Sequence, residues 1–304
     1  MGVGQTLAHT TEALSTRPPS EWGRLDRRAR LRDSAGARWR AVQVAVRRRH
    51  AAAHQLPQLL ILGAQRGGTT SLYKWLTGHP QVQMPLDKEI QFFSVEWHRG
   101  TDWYRSHFGP LGDHRLNFEA SPYYLYHPTA PVRVATTLPD VKMVALLREP
   151  VARAWSHYHH NVRLGLESLS FTDAIAAEPE RLVGETERLQ ADPTAVSFAH
   201  RHHSYLDRSR YGPQVARWRE AAGDRLVVLR SEQLFDEPHR TFQRLLELLE
   251  LDPWRPPDYE RASRRTAPTP PMPGRLRAEL SVGFRQSADL LRRYVDFDPT
   301  RWAA

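Results

Sequence analysis

LLILGAQRGGTTSLYKWL, residues 59–76, changes character twice within eighteen residues. An unbroken apolar run gives way to glycines, and the glycines give way to apolar residues at helical spacing. That order predicts a buried strand, a tight loop and a helix, the layout of a phosphate-binding loop. The ATPase pattern G-x-x-x-x-G-K-[ST] can be laid from Gly63 to Thr70, but Thr69 stands where that pattern needs lysine. The glycines, Gly67 and Gly68 among them, let the backbone approach an anion closely. The N–H groups of Gly68, Thr69, Thr70 and Ser71 are expected to face the anion at the positive end of a helix. Hydroxyls add donors, and Arg66 adds a permanent charge with forked donors. Without the lysine, and with VKMVALL (141–147) running into Arg148 rather than a Walker-B aspartate, ordinary ATP or GTP hydrolysis is disfavoured. Nothing here demands magnesium.

Arg148 is the second clue. In LLREPVARAWSHY it falls at the carboxyl end of a predicted strand, with Ser156 eight residues on in the following helix. Counted from Pro150, Ser156 lies just under two turns in, so it can face back toward Arg148. Arg153 is expected to join them in an arginine–hydroxyl clamp for a phosphate. Two phosphate sites on one sheet suggest a nucleotide phosphorylated at both ends of its ribose.

Outward from these motifs, predicted strands and helices alternate. QVQMP and RLNFEASP read as further strands, TAPVRVATTLP as a helix, and REPVARAWSHYHHNVRLG as a long helix with Pro150 in its first turn. RLVVLRSEQLF reads as a strand leaving into a loop, followed by the helix EPHRTFQRLLELLEL; a proline-rich loop and a closing helix pair complete the chain. This pattern predicts an α/β fold, a P-loop-like central parallel β-sheet flanked by helices on both faces. Ligands of such sheets sit at the carboxyl ends of the strands. Residues 56–304 are expected to form one domain, preceded by a basic arm, 1–55, with partial helix.

The protein has 304 residues, 40% hydrophobic and 25% charged, with a net charge of +9. The arm holds eleven arginines against four acids, a net +7, while the remainder holds 32 basic against 30 acidic residues, a net +2. The basic character therefore belongs to the arm, which argues against nucleic acid as a partner and for a solvated segment or one that touches an anionic membrane surface. With no cysteine there are no disulfides, thiolate metal sites or cysteine nucleophiles. No stretch of 18 apolar residues exists, and the first 30 residues lack a secretory h-region. The expected setting is cytoplasmic, with peripheral membrane contact through the arm.

The pair GAQRGGTTSL and LLREPVARAWSHYHH resembles the 5′-phosphosulfate loop and 3′-phosphate site of sulfotransferases that use 3′-phosphoadenosine 5′-phosphosulfate (PAPS). DKEIQFFSVEWHRGTDWYRSHF, FEASPYY and RYGPQVARW…LVVLRSEQLF resemble segments of the heparan sulfate N- and 3-O-sulfotransferase branch, so the likeness runs over about residues 57–300. The resemblance implies that Arg66, Gly67, Gly68, Thr69, Thr70 and Ser71 hold the 5′-phosphosulfate. It further implies that Arg148 and Ser156 bind the 3′-phosphate, that Arg264, Arg265 and Thr266 form a late nucleotide-binding loop, and that Glu89 is the catalytic carboxylate. Two departures stand out. The family usually has lysine where Arg66 stands, and in some of its members a lysine follows the glutamate that aligns with Glu119, where this chain has Ala120. The second departure puts N-sulfation in doubt.

The implied chemistry uses no metal and no covalent enzyme intermediate: Glu89 takes the proton of an acceptor hydroxyl, and Arg66 with the loop N–H groups stabilises the leaving bisphosphate. A glycan, glycolipid, glycosylated small molecule or phenol fits as acceptor. Two other classes compete with this reading, a P-loop nucleotide kinase-like enzyme and a non-catalytic nucleotide-binding protein. His157 and His160 are spaced to face one way, but no third ligand accompanies them; structural or acceptor-contact roles are expected.

Overall fold

The computed structural model describes residues 34–110, 116–261 and 270–302. Five parallel strands form its centre: β1 (Leu59–Gly63), β2 (Val82–Gln83), β3 (Leu116–Ala120), β4 (Lys142–Leu147) and β5 (Leu226–Arg230), in the order β2-β3-β1-β4-β5. Strand β1 is central, with Leu59 paired to Phe118 of β3 and to Lys142 of β4. From β1 the chain passes to the edge strand β2, returns to place β3 beside β1, and then crosses to β4 and β5 on the other side. The carboxyl end of β1 is therefore the switch point, where a ligand has room between diverging connections.

Strand β1 is apolar at consecutive positions because both sheet faces are covered. Leu60 and Leu62 pack into one core with Phe92, Phe93, Tyr104 and Trp218. Leu59 and Ile61 face the other way, into a core with Leu72, Trp75, Phe242 and Leu246. Each such fully buried aliphatic side chain contributes about 1.5–3 kcal/mol.

The helices are α1 (Ser34–Arg48), α2 (Thr69–Thr77), α3 (Thr101–Arg105), α4 (Ala130–Thr137), α5 (Pro150–Leu164), α6 (Phe171–Leu182), α7 (Glu185–Ala191), α8 (Tyr211–Ala222), α9 (Ser231–Asp236), α10 (Pro238–Leu248), α11 (Gly274–Val282) and α12 (Arg285–Leu291). Helix α2 ends at Gly78, and α5 begins at Pro150, whose missing N–H falls where no intrahelical bond is due. One connection departs from expectation: β5 passes directly into α9 instead of a loop, because Ser231 and Leu234 are buried and draw the chain into a helical turn.

Helix α1 is tied to the sheet-bearing body. Val44 is buried, Arg40 pairs with Asp87 at 2.8 Å, and Arg47 donates to the carbonyl of Phe108. Its outward face carries Trp39, Val42 and Val46, each more than half exposed. Among the described residues no helix is long and apolar enough to cross a membrane.

Candidate active site

The loop between β1 and α2 lies pressed against β4. Ala64 N–H donates to the carbonyl of Leu146 at 2.8 Å, and a Cβ added at Gly67 would stand 2.4 Å from that same carbonyl oxygen. Only glycine fits this approach. Gly68, at the N-cap of α2, has φ of +100° and its Cα faces the ring of Phe235. No side chain caps α2, so the first-turn N–H groups of Gly68, Thr69 and Thr70 have no intrahelical acceptor. Ser71 differs from its expected role: its N–H closes the turn onto the carbonyl of Gly68, and its side chain is buried with that of Thr69. Thr70 remains at the surface.

Arg66 reaches farther than its neighbours in sequence. Its Nε donates to Ser156 Oγ at 3.0 Å, and Arg148 Nη1 donates to its backbone carbonyl at 3.3 Å. Three residues expected in two separate anion sites therefore form one continuous cluster. Burial, and the like charges of Arg163 and Arg148, bring the Arg66 guanidinium down to about 10. Its principal electrostatic neighbours are thus cations. Arg163 escaped the reading of the sequence. The signal for it was helical spacing: Ser156, His160 and Arg163 recur at i, i+4 and i+7 on α5. Burial, Arg66 and Arg163 likewise depress His160 to about 4.

The position of Arg148 is fixed from its own backbone. Tyr211 Oη donates to its carbonyl, and the next residue, Glu149, caps α5 by accepting from the N–H groups of Val151 and Ala152. Glu149 is held in turn by Arg277 at 2.6 Å. Arg153, expected in the clamp, is not part of it. It is fully buried and donates to Ser209 Oγ and to the carbonyls of Tyr205 and Gln65, so it braces the loop from behind. It lies one turn before His157, which is buried like it. Arg264, Arg265 and Thr266 lie outside the described residues.

Glu89 comes from the irregular segment after β2 and is about one-third exposed. It accepts from Gln91 Nε2 and lies 3.9 Å from Lys88 Nζ. Gln91 has φ of +61°, and its N–H donates to Ser121 Oγ; Ser121 donates on to the buried Glu119. Burial raises Glu119 to about 7 against the pull of hydrogen bonds from Tyr124 and Ser121. Glu119 thus sits behind Gln91, away from the opening.

Glu89, Gln91 and Gln65 line a cavity of about 150 Å³ with His160, Asn161, Arg201 and Arg208. Arg208 is a pillar of this cavity, its guanidinium 5.0 Å from the ring of Tyr123 and 4.9 Å from that of Tyr126. It donates to Gln65 Oε1 and to the carbonyls of His200 and Arg201. His157 is buried beside Asn161, and His159 packs on Trp155. The aromatic residues Phe92, Phe93 and Tyr104 are core.

A parallel sheet with an uncapped helix start at its switch point thus stands beside a polar cavity lined by a carboxylate. The sulfotransferase domain family matches residues 56–260, and the chain belongs to that family. The crystal structure of a sulfotransferase from Alicyclobacillus acidocaldarius is similar with a TM-score of 0.66 and 27% identity, covering 82% of this chain and 100% of that one. The membrane-associated sulfotransferase kil1 of Dictyostelium discoideum is 37% identical over 111 residues, 36% of this chain and 24% of its own length. Mouse heparan sulfate glucosamine 3-O-sulfotransferase 3A1 is 33% identical over 127 residues, 40% of this chain and 32% of its own length. The matched stretches thus span a third or less of these two relatives.

Proposed function

We propose that this sulfotransferase moves the sulfuryl group of PAPS to an acceptor hydroxyl on a glycan, glycolipid or glycosylated small molecule. The observation that carries the reading is the meeting of Arg66, Arg148 and Ser156 at the uncapped start of α2, directly beside the cavity that Glu89 lines. The residues present fit the co-substrate: the N–H groups of Gly68, Thr69 and Thr70 with the Thr70 hydroxyl for a 5′-phosphosulfate, and Arg148 with Ser156 for a 3′-phosphate. PAPS supplies the activated sulfuryl group. Gln91 holds the Glu89 carboxylate toward the cavity, where it takes the proton of the attacking hydroxyl. Arg66 and the loop N–H groups stabilise charge on the departing bisphosphate.

The glycan class is supported by the cavity lining, in which amides, a carboxylate, histidines and arginines outnumber apolar groups. Polyhydroxyl acceptors are bound by just such groups. We further propose that the protein works in the cytoplasm against an anionic membrane surface. Helix α1 presents Trp39, Val42 and Val46 outward with Arg48 and Arg49 beside them, an apolar stripe with a basic end.

Incubation with ³⁵S-labelled PAPS and a panel of glycans, glycolipids, glycosides and phenols tests the reaction. Label on a sugar hydroxyl is the expected result; label on phenols alone would overturn the acceptor class. In parallel, 3′,5′-bisphosphate should raise the melting temperature more than ATP with magnesium, since a ligand stabilises according to its affinity for the folded state. The reverse ranking would favour a kinase-like enzyme.

A further inference from the structure

Lys88 has no place in the roles assigned so far, yet its ammonium lies inside the site. Nζ is 3.4 Å from Thr70 Oγ1 in the first turn of α2 and 3.9 Å from Glu89 Oε1. It rests 5.4 Å from the centre of the Tyr73 ring, and its side chain is only 20% exposed. It is therefore bracketed by the hydroxyl that opens the anion-facing helix and by the carboxylate that faces the acceptor cavity. Arg66 is disposed differently. Its Nε is engaged by Ser156 and its carbonyl by Arg148, which draw it to the β4–α5 side of the loop. Among the described residues, Lys88 is the cation that stands against both Thr70 and Glu89.

Resting on the sulfuryl-transfer reading, we propose that Lys88 is the catalytic residue that binds the oxygen bridging sulfur and the 5′-phosphate and stabilises it as it leaves. In that step the acceptor oxygen–sulfur bond forms while the bond from sulfur to the bridging oxygen breaks. The electron pair departs with the phosphate, the acceptor proton passes to Glu89, and Lys88 offers an N–H as a charge-assisted hydrogen bond. Arg66 then serves the phosphates on the Ser156 side. An ammonium suits the position Lys88 holds. It is a compact charge on a flexible stem, and its three donors can serve Thr70, Glu89 and the bridging oxygen together. Burial also holds Lys88 below the usual lysine range, with Glu89 opposing that shift. A less basic ammonium is the stronger hydrogen-bond donor.

The test compares wild type, Lys88→Ala and Lys88→Arg in two measurements that need no known acceptor. One is turnover of PAPS to 3′,5′-bisphosphate with water as acceptor; the other is calorimetric affinity for 3′,5′-bisphosphate. Lys88→Ala is expected to lower turnover about 100-fold or more, as loss of a donor to a developing anion does, while bisphosphate affinity changes less than about threefold. Lys88→Arg is expected to recover at least about tenfold over the alanine variant, because it restores the charge. Where the wild type loses turnover at high pH through Lys88, the arginine variant should keep it. A Lys88→Ala turnover within about threefold of wild type, or a turnover loss matched by an equal loss of bisphosphate affinity, overturns the assignment. If the wild type turns over PAPS and only the Lys88 effect is missing, the Lys88 role alone falls. If the wild type binds no bisphosphate, the underlying sulfuryl-transfer reading falls and takes the Lys88 role with it.

Discussion

The wall of the site that carries Arg66, Arg148 and Ser156 hangs from the ends of β1 and β4, whereas the wall that carries Lys88 and Glu89 is an irregular segment held in place by side chains. On the first wall, position follows from backbone geometry: Gly67 lies flat against Leu146, and Pro150 and Glu149 start α5 in register with the loop. On the second, Asp87 is pinned by Arg40 from α1, Gln91 by Ser121, and Glu89 by Gln91. On the proposed function the first holds a fixed polyanion, while the second sets the position of a base and a cation and depends on distant elements to do so.

The difference can be broken at either wall. Glu89→Gln should have the largest effect: turnover falls about 100-fold or more, the range for loss of a general base, with bisphosphate affinity little changed. Steady-state rates with labelled PAPS and titration calorimetry would check both halves. Arg148→Ala should act in the opposite sense, weakening 3′,5′-bisphosphate by about 1.5–3 kcal/mol, the worth of hydrogen bonds to a charged group, while leaving adenosine 5′-phosphosulfate largely unaffected. Competition binding with the two nucleotides reads the contrast directly.

Arg40→Ala sharpens the comparison at a distance. It removes the arginine beside Asp87, leaving His107 at 3.9 Å, without touching either wall's functional groups, so a severalfold loss of turnover is expected, with only about 0–1 kcal/mol lost in stability, as for partly exposed pairs. Equal turnover in this variant would show that the second wall does not rely on α1.

Glu119→Gln should have the smallest effect, and its sign depends on pH. The folded-state value of Glu119 is raised, to about 7 from an ordinary 4.5. Its contribution is therefore fully present below about pH 4.5 and is lost as pH rises through about 7. The glutamine variant should match wild type near pH 4.5 and gain on it by pH 8, measured as the difference in melting temperature.

The same division explains what the sequence made legible. The parallel sheet, the order of strands and helices, and the strand, loop and helix from β1 to α2 could all be read, because apolar runs, glycines and helical spacing act locally. The second wall was readable only in part. Glu89 was singled out through family likeness, but the left-handed turn at Gln91 depends on Ser121, thirty residues away. Arg66 meeting Ser156 joins residues ninety apart, and the diversion of Arg153 into a brace depends on Ser209 and Tyr205. Nothing local to the sequence marks Lys88, because Thr70, its neighbour in the fold, lies eighteen residues away.

The central claim is that the first wall recognises phosphates at both ends of a ribose. Titration calorimetry of wild type and Arg148→Ala with adenosine 3′,5′-bisphosphate and with adenosine 5′-monophosphate tests it most directly. Wild type should prefer the bisphosphate by at least about tenfold, about 1.4 kcal/mol, and Arg148→Ala should lose this preference. Equal affinity of the wild type for the two nucleotides would contradict it.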